Sequence, residues 1–208
     1  MKILNIEAIK KNISISPNLD LSMLQKELLI AYSIQYKNLA FKLKKILEQK
    51  GYNIKGFQQV LGCTKLKSNY AILLIGSGKF HALNLAMQNK QVYIYDNNYN
   101  KILKISEKEL EALKRNKQAS INRFFHSSRI GILVSTKYGQ ENLNEAKKIS
   151  EKIEKKYPEK KVYLFISNNI NLNELENFQI ESWINTACQG LVNDSKKILN
   201  YDDIIEFL

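Results

Sequence analysis

Several short, almost unbroken apolar runs recur along this chain, separated by segments with helical spacing. "KVYLFIS" (Lys161 to Ser167) reads as a strand, "YAILLIG" (Tyr70 to Gly76) has no charged residue, and "LLIAYSI" (Leu28 to Ile34) and "RIGILVS" (Arg129 to Ser135) are nearly as apolar. A run of strand length that does not alternate apolar with polar residues is buried on both faces. That pattern belongs to parallel strands covered by helices. "FQQVLG", "VYIYD" (Val92 to Asp96) and "SWINTA" add further strands. Between them, Leu39, Leu43, Ile46 and Leu47 mark a helix that Gly51 stops. "FHALNLAM" marks a second helix, and Ser106 with Glu109 forms a capping box that opens a third through Leu110 and Leu113. Leu143, Ala146, Ile149 and Ile153 mark a fourth, ended by Pro158. Leu172, Leu175 and Phe178 suggest a short helix, and "DDIIEFL" a terminal helical turn. Alternation of this kind predicts βαβ units. The pattern restarts near Asn122, so the expected fold is α/β: two small doubly wound parallel-sheet domains with helices on both faces, spanning 1–122 and 123–208.

Four turns follow predicted strands: Gly62-Cys63-Thr64, Gly76-Ser77-Gly78, Ser135-Thr136-Lys137 and Ala187-Cys188. Parallel strands would bring such turns to the carboxyl edge of their sheet, where open α/β folds build their sites. Cys63 and Cys188 are the only cysteines in the chain, one in each expected domain. If the two sheets face each other, both thiols reach one cleft. Taken alone, two cysteines read most simply as buried structural thiols. They are too few for a disulfide framework, and neither CxxC nor a closely spaced CxxxCxxC triplet is present. An iron–sulfur or zinc site needs three or four ligands, so only a site assembled from distant segments is open to them.

"GSGKFH" (Gly76 to His81) follows a strand and opens a helix, where glycines let a ligand approach the backbone and the helix start attracts anions. It is neither GxGxxG nor a P-loop, and a turn that merely packs helix on strand explains it as well. "STKYGQ" (Ser135 to Gln140) offers Thr136, Lys137 and Gln140 for a carboxylate or an amine, with helix capping as the plain alternative. His81 and His126 read as packed or surface residues, and no catalytic acid or base is identifiable.

The net charge of +12 comes from 32 basic and 20 acidic residues, but only three of the basic residues are Arg (Arg115, Arg123 and Arg129). Arg is the usual bidentate reader of phosphate, whereas Lys mainly solubilises. Nucleic acid is therefore not the expected partner, and the Lys-rich helix around Lys147, Lys148, Lys152, Lys155 and Lys156 is read as solvated. No apolar run approaches the roughly 20 residues of a membrane helix, and "MKILNIEAIKKN" is too interrupted for a secretory leader. The expected setting is cytoplasmic, without a membrane.

In order along the chain, "LGCTK", "LLIGSGKFHALNLAM", "GILVSTKYGQENLNEA", "LENFQIESWINTAC" and "DDIIEFL" together resemble the archaeal and eukaryotic diphthamide-synthesis family. The resemblance implies three similar α/β domains, each giving one cysteine to a shared [4Fe–4S] cluster that binds S-adenosylmethionine. It implies transfer of a 3-amino-3-carboxypropyl group, as a radical, to a histidine of elongation factor 2. It makes Cys63 the ligand of the second domain and Cys188 that of the third. Backbone groups at Gly76, Ser77 and Gly78, with Thr136, Lys137 and Gln140, become candidates to hold the amino-acid end of S-adenosylmethionine.

The first domain and its cysteine have no counterpart in these 208 residues, and Gln189-Gly190 stand where the family usually has Pro and Arg. The favoured expectation is a split enzyme, with a separate chain supplying the first domain and the third cysteine. Such an enzyme would be a homo- or hetero-oligomer, inactive without its partner. A supporting subunit, a repurposed remnant, and a cluster-free Rossmann-like module for nucleotide or RNA are the other readings.

Overall fold

In β1 (Glu27–Tyr32), β3 (Ala71–Ile75) and β4 (Val92–Asp96), consecutive apolar residues are divided between two cores. Leu28, Ile30, Tyr32, Leu73, Ile75, Tyr93 and Tyr95 point to one side, against Leu39, Ala40, Leu43 and Leu47 of α1 (Lys37–Gln49). Leu29, Ala31, Ile72, Leu74, Val92 and Ile94 point to the other, against Ala82, Leu85 and Ala86 of α2 (Phe80–Ala86). Side chains of a strand alternate between faces, so only a chain with no polar position to spare can bury both. The computed structural model on which these statements rest describes residues 6–11, 13–66, 68–76, 79–88, 91–193, 195 and 197–208.

With β2 (Asn53–Gln59) and β5 (Lys101–Lys104), these strands form a five-stranded sheet in the order β2-β1-β3-β4-β5. All neighbours pair in parallel except β4 and β5, which are antiparallel. The end of α1 follows from its sequence. Gly51 takes φ +76°, its N–H donates to Glu48 O at 3.0 Å, and the Tyr52 N–H donates to Leu47 O at 3.0 Å. This is the paired bond pattern of a glycine-terminated helix.

The remaining elements are α3 (Glu107–His126), β6 (Arg129–Ser135), α4 (Leu143–Lys156), β7 (Lys161–Ser167), β8 (Ser182–Asn185) and β9 (Ile198–Asn200). Their strands make a four-stranded parallel sheet in the order β7-β6-β8-β9. The chain divides into two compact units, Met1–Leu110 and Glu111–Leu208. The division falls within α3, and Asn122, where the sequence pattern restarts, lies on the same helix.

The capping box expected at Ser106 opens α3: the Glu109 N–H donates to Ser106 Oγ and the Ser106 N–H to Glu109 Oε2, each at 3.2 Å. The carboxyl end of α3 is closed from a distance. Lys160 is 5% exposed, and its ammonium donates to Phe124 O, Phe125 O and Ser127 O at 3.1, 2.8 and 2.6 Å. A cation there satisfies carbonyls that have no partner within the helix and meets the negative end of its dipole.

The two faces of the second sheet are covered differently. Ile130, Ile132, Val134 and Ile184 pack on Ile121 and Phe124 of α3 and on Ala146, Ile149 and Ile153 of α4. The other face carries Leu133, Trp183 and Ile198, covered by Phe165, Ile170, Leu172, Leu175 and Ile180 from β7 and the segment after it. That segment contains only a 3₁₀ turn (Glu174–Asn177) where the spacing of Leu172, Leu175 and Phe178 suggests a short helix. Trp183 stacks edge-on against Phe165, with ring centroids 4.7 Å apart.

Gly131, in the middle of β6, makes room for Trp183. A Cβ at Gly131 would run into Cε3 and Cζ3 of the indole, closer than real Cβ contacts come. Trp183 is fully buried and cannot step aside without opening this core. Gly131→Ala is expected to destabilise the second unit by about 2–3 kcal/mol through overpacking. A lowered urea midpoint followed by tryptophan emission checks it.

Candidate functional site

Parallel pairing brings the turns after β2, β3, β6 and β8 to the carboxyl edges of their sheets. Cys63 lies in the turn after β2 and Cys188 in the turn after β8. Both are exposed free thiols, where two cysteines taken alone read most simply as buried ones. They belong to different units.

The Cys63 turn is closed internally and then fastened to α2. The Leu61 N–H donates to Thr64 Oγ1 at 2.8 Å, and the Thr64 N–H to Leu61 O at 3.0 Å. The Asn84 side-chain amide donates to Gly62 O at 2.8 Å, immediately before the cysteine. One helical turn on, the Gln88 amide donates to Thr64 O at 3.3 Å, and its oxygen accepts from the Leu66 N–H at 3.1 Å. Gly76 is buried at the end of β3, where a Cβ would sit 3.6 Å from Ser33 Oγ of the segment after β1. Ser77 and Gly78 lie outside the described residues.

The Cys188 turn is held by two asparagines. Asn185 and Asn200 face each other in register at the ends of β8 and β9, and Asn185 Nδ2 donates to Asn200 Oδ1 at 2.7 Å. The same Nδ2 donates to Cys188 O at 2.8 Å, while Asn185 Oδ1 accepts from the Ala187 N–H at 3.0 Å. Asn200 Nδ2 reaches Gln189 O at 3.3 Å, and Gln189 Nε2 reaches Asp202 Oδ2 at 3.1 Å.

The loop after β6 lies beside this turn. Asn142, at the start of α4, donates its side-chain amide to Thr186 O at 2.8 Å, and the Thr186 hydroxyl donates to Leu133 O at 2.8 Å. Thr136 and Lys137 are exposed and Gln140 is half-buried. The Thr136 N–H donates to Ser167 O at 3.1 Å and the Lys137 N–H to Ser135 Oγ at 3.1 Å, leaving the Lys137 side chain in solvent. The structure thus groups Thr136, Lys137 and Gln140 with Cys188 at one edge of the second unit, and Gly76 with Cys63 at one edge of the first.

His81 is half-buried on α2, and desolvation pushes its imidazole below the ordinary value. His126 points its Nδ1 at Asn122 O, 2.8 Å away, in the last turn of α3. Lys79, at the start of α2, pairs with Glu109 of the capping box. The Lys79 ammonium first, and then the Ser106 hydroxyl and N–H, hold the Glu109 carboxyl down at about 2. Among the described residues, no three His, Cys, Asp or Glu side chains group into a metal site. Each turn instead presents one exposed cysteine sulfur on a braced backbone, the donor atom iron–sulfur clusters use.

These features define a pair of parallel α/β units, each offering one thiol at the carboxyl edge of its sheet. Residues 5–200 match the family model described as "Putative diphthamide synthesis protein", and the chain belongs to that family. It is 30% identical over 196 residues to the 2-(3-amino-3-carboxypropyl)histidine synthase of Pyrococcus horikoshii, covering 88% of this chain and 54% of the relative. It is 30% identical over 177 residues to the synthase of that name from Methanocaldococcus jannaschii, covering 81% and 46%. The crystal structure of Dph2 from Pyrococcus horikoshii superposes with a TM-score of 0.76 at 27% identity, covering 87% of this chain and 57% of that one. The structure of the same protein with a 4Fe-4S cluster gives 0.76 at 28% identity, covering 87% and 56%. The chain therefore spans about half the length of these relatives. Among the described residues, no helix is long and apolar enough to cross a membrane.

The Glu109 pair has a pH signature. Its folded value is depressed, so the stabilisation is fully present above the ordinary value of 4.5 and is lost as the pH falls through about 2. The Glu109 carboxyl carbon is expected to titrate near that lower value by NMR and to move back toward 4.5 in Lys79→Ala.

Proposed function

We propose that this chain is part of a 2-(3-amino-3-carboxypropyl)histidine synthase, with Cys63 and Cys188 as two ligands of a [4Fe–4S] cluster whose third thiolate comes from outside these two units. Its two units correspond to the second and third domains of the family. One observation carries the reading: the two cysteines of the chain are both exposed, each on a braced turn at the carboxyl edge of its sheet. A merely structural cysteine is normally buried. Relatives that carry the synthase name, and a Dph2 structure holding a 4Fe-4S cluster, support it.

The reaction is transfer of the 3-amino-3-carboxypropyl group from S-adenosylmethionine to a histidine of elongation factor 2. When bound, the cluster supplies the electron that breaks the sulfonium C–S bond. The protein's part is orientation. The backbone around Gly76 to Gly78 receives the carboxylate of S-adenosylmethionine, and Thr136, Lys137 and Gln140 hold its amino-acid end. The assembly is a homo- or hetero-oligomer working in the cytoplasm, with elongation factor 2 as its macromolecular substrate.

The test is anaerobic iron and sulfide analysis, with an optical spectrum, of this chain purified with whatever accompanies it. About four irons per assembly is the expected content for a [4Fe–4S] site, lost in Cys63→Ser and in Cys188→Ser. Full iron content in the double serine variant sinks the proposal.

A further inference from the structure

We infer that Asn185 is the positioning residue for the Cys188 thiol, and that Asn84 serves Cys63 in the same way. The inference rests on the reading of both cysteines as cluster ligands. It adds to that reading the groups that aim them.

Asn185 is 3% exposed at the end of β8, where a polar side chain is costly unless every one of its bonds is made. Two of its bonds serve one turn. Nδ2 holds the carbonyl of Cys188 itself, and Oδ1 holds the N–H of Ala187, the residue before it. The Cys188 carbonyl also accepts from the Leu191 N–H at 3.1 Å. A carbonyl engaged by two donors fixes its peptide plane, and with it the direction of the neighbouring Cα–Cβ bond. Asn200 takes the second proton of the Asn185 amide, so the brace is itself braced.

The first unit repeats the device with different elements. The brace comes from a helix instead of a strand end, and it acts on Gly62 O, the carbonyl just before Cys63. Gln88 holds Thr64 O just after it. Both cysteines are thus flanked by carbonyls tied to side-chain amides, while the thiols themselves stay exposed. Groups behind the ligands of a metal orient those ligands, and their loss typically costs about 10–100-fold in metal affinity.

The experiment compares Asn185→Ala and Asn84→Ala with wild type in the anaerobically purified assembly. A control, Tyr157→Phe, removes a bond to Phe207 O elsewhere in the second unit. Three readouts are taken: the rate of iron transfer to a chelator, the electron paramagnetic resonance spectrum of the reduced cluster, and hydrogen exchange at the Leu191 amide. Iron release about 10–100-fold faster is expected in each asparagine variant, with an altered spectrum. Faster Leu191 exchange is expected in Asn185→Ala alone, and Tyr157→Phe should match wild type. Should Asn185→Ala not fold, Asn84→Ala in the other unit decides the question. Asparagine variants that release iron as slowly as wild type, with an unchanged spectrum, overturn the inference. So does a control that loses iron as fast as they do. Wild type that holds no iron overturns the functional reading itself, a result distinct from either.

Discussion

Each strand that carries a candidate site turn is hydrogen-bonded to its neighbours in parallel. A parallel neighbour can be reached only by crossing back over the sheet, so something must lie on its face after nearly every strand. The crossing segments bury the sheet and force its strands to be apolar on both sides. The same geometry collects the strand ends along one edge. Burial of Leu73 and Leu74 on opposite faces of β3 and exposure of Cys63 at the edge are therefore two results of one arrangement.

The edge needs more than topology to be useful. A turn that leaves a strand is free to take many shapes unless its carbonyls and N–H groups find partners. In both units those partners are carboxamide side chains: Asn84 and Gln88 behind Cys63, Asn185 and Asn200 behind Cys188, and Asn142 tying the loop after β6 to the Cys188 turn. A carboxamide can donate and accept at once and carries no charge, so it can be buried without the desolvation cost of a carboxylate or ammonium. Lys160 is the contrasting case, a buried cation whose protons all go to carbonyls at the end of one helix.

Much of the fold was legible because burial on both faces leaves a strong trace in sequence. β1, β3, β4 and β6 lie where the apolar runs stand, and α1, α2, α3 and α4 where the helical spacing or its caps fall; β7 also follows an apolar run, but as an edge strand it leaves Tyr163, Leu164 and Ile166 exposed. The elements that escaped notice are short. β5 has four residues and returns through a turn at Asn97 to Asn100, and β9 has three. Neither is long enough to display a period. The far face of the second sheet carries a 3₁₀ turn where two-sided helical covering is the simple expectation, because the segment from Asn168 to Glu181 fills that space with side chains from an irregular backbone. At the candidate site, the place of the two cysteines in turns after strands was legible in the sequence, whereas their exposure was not. The amides behind them were not. Asn84 resembles an ordinary polar position on a helix and Gln88 one just past its end, and Asn185 and Asn200 come together only through the pairing of β8 with β9.

Trp183, set against Gly131 and Phe165, is the only tryptophan in the chain. It stands in the second unit, on the same strand as Asn185. Indole emission thus arises within that unit alone. A melting curve recorded at that wavelength reads the surroundings of Trp183, while the first unit, with Tyr32, Tyr93 and Tyr95 in its core, carries only far weaker phenol emitters of its own.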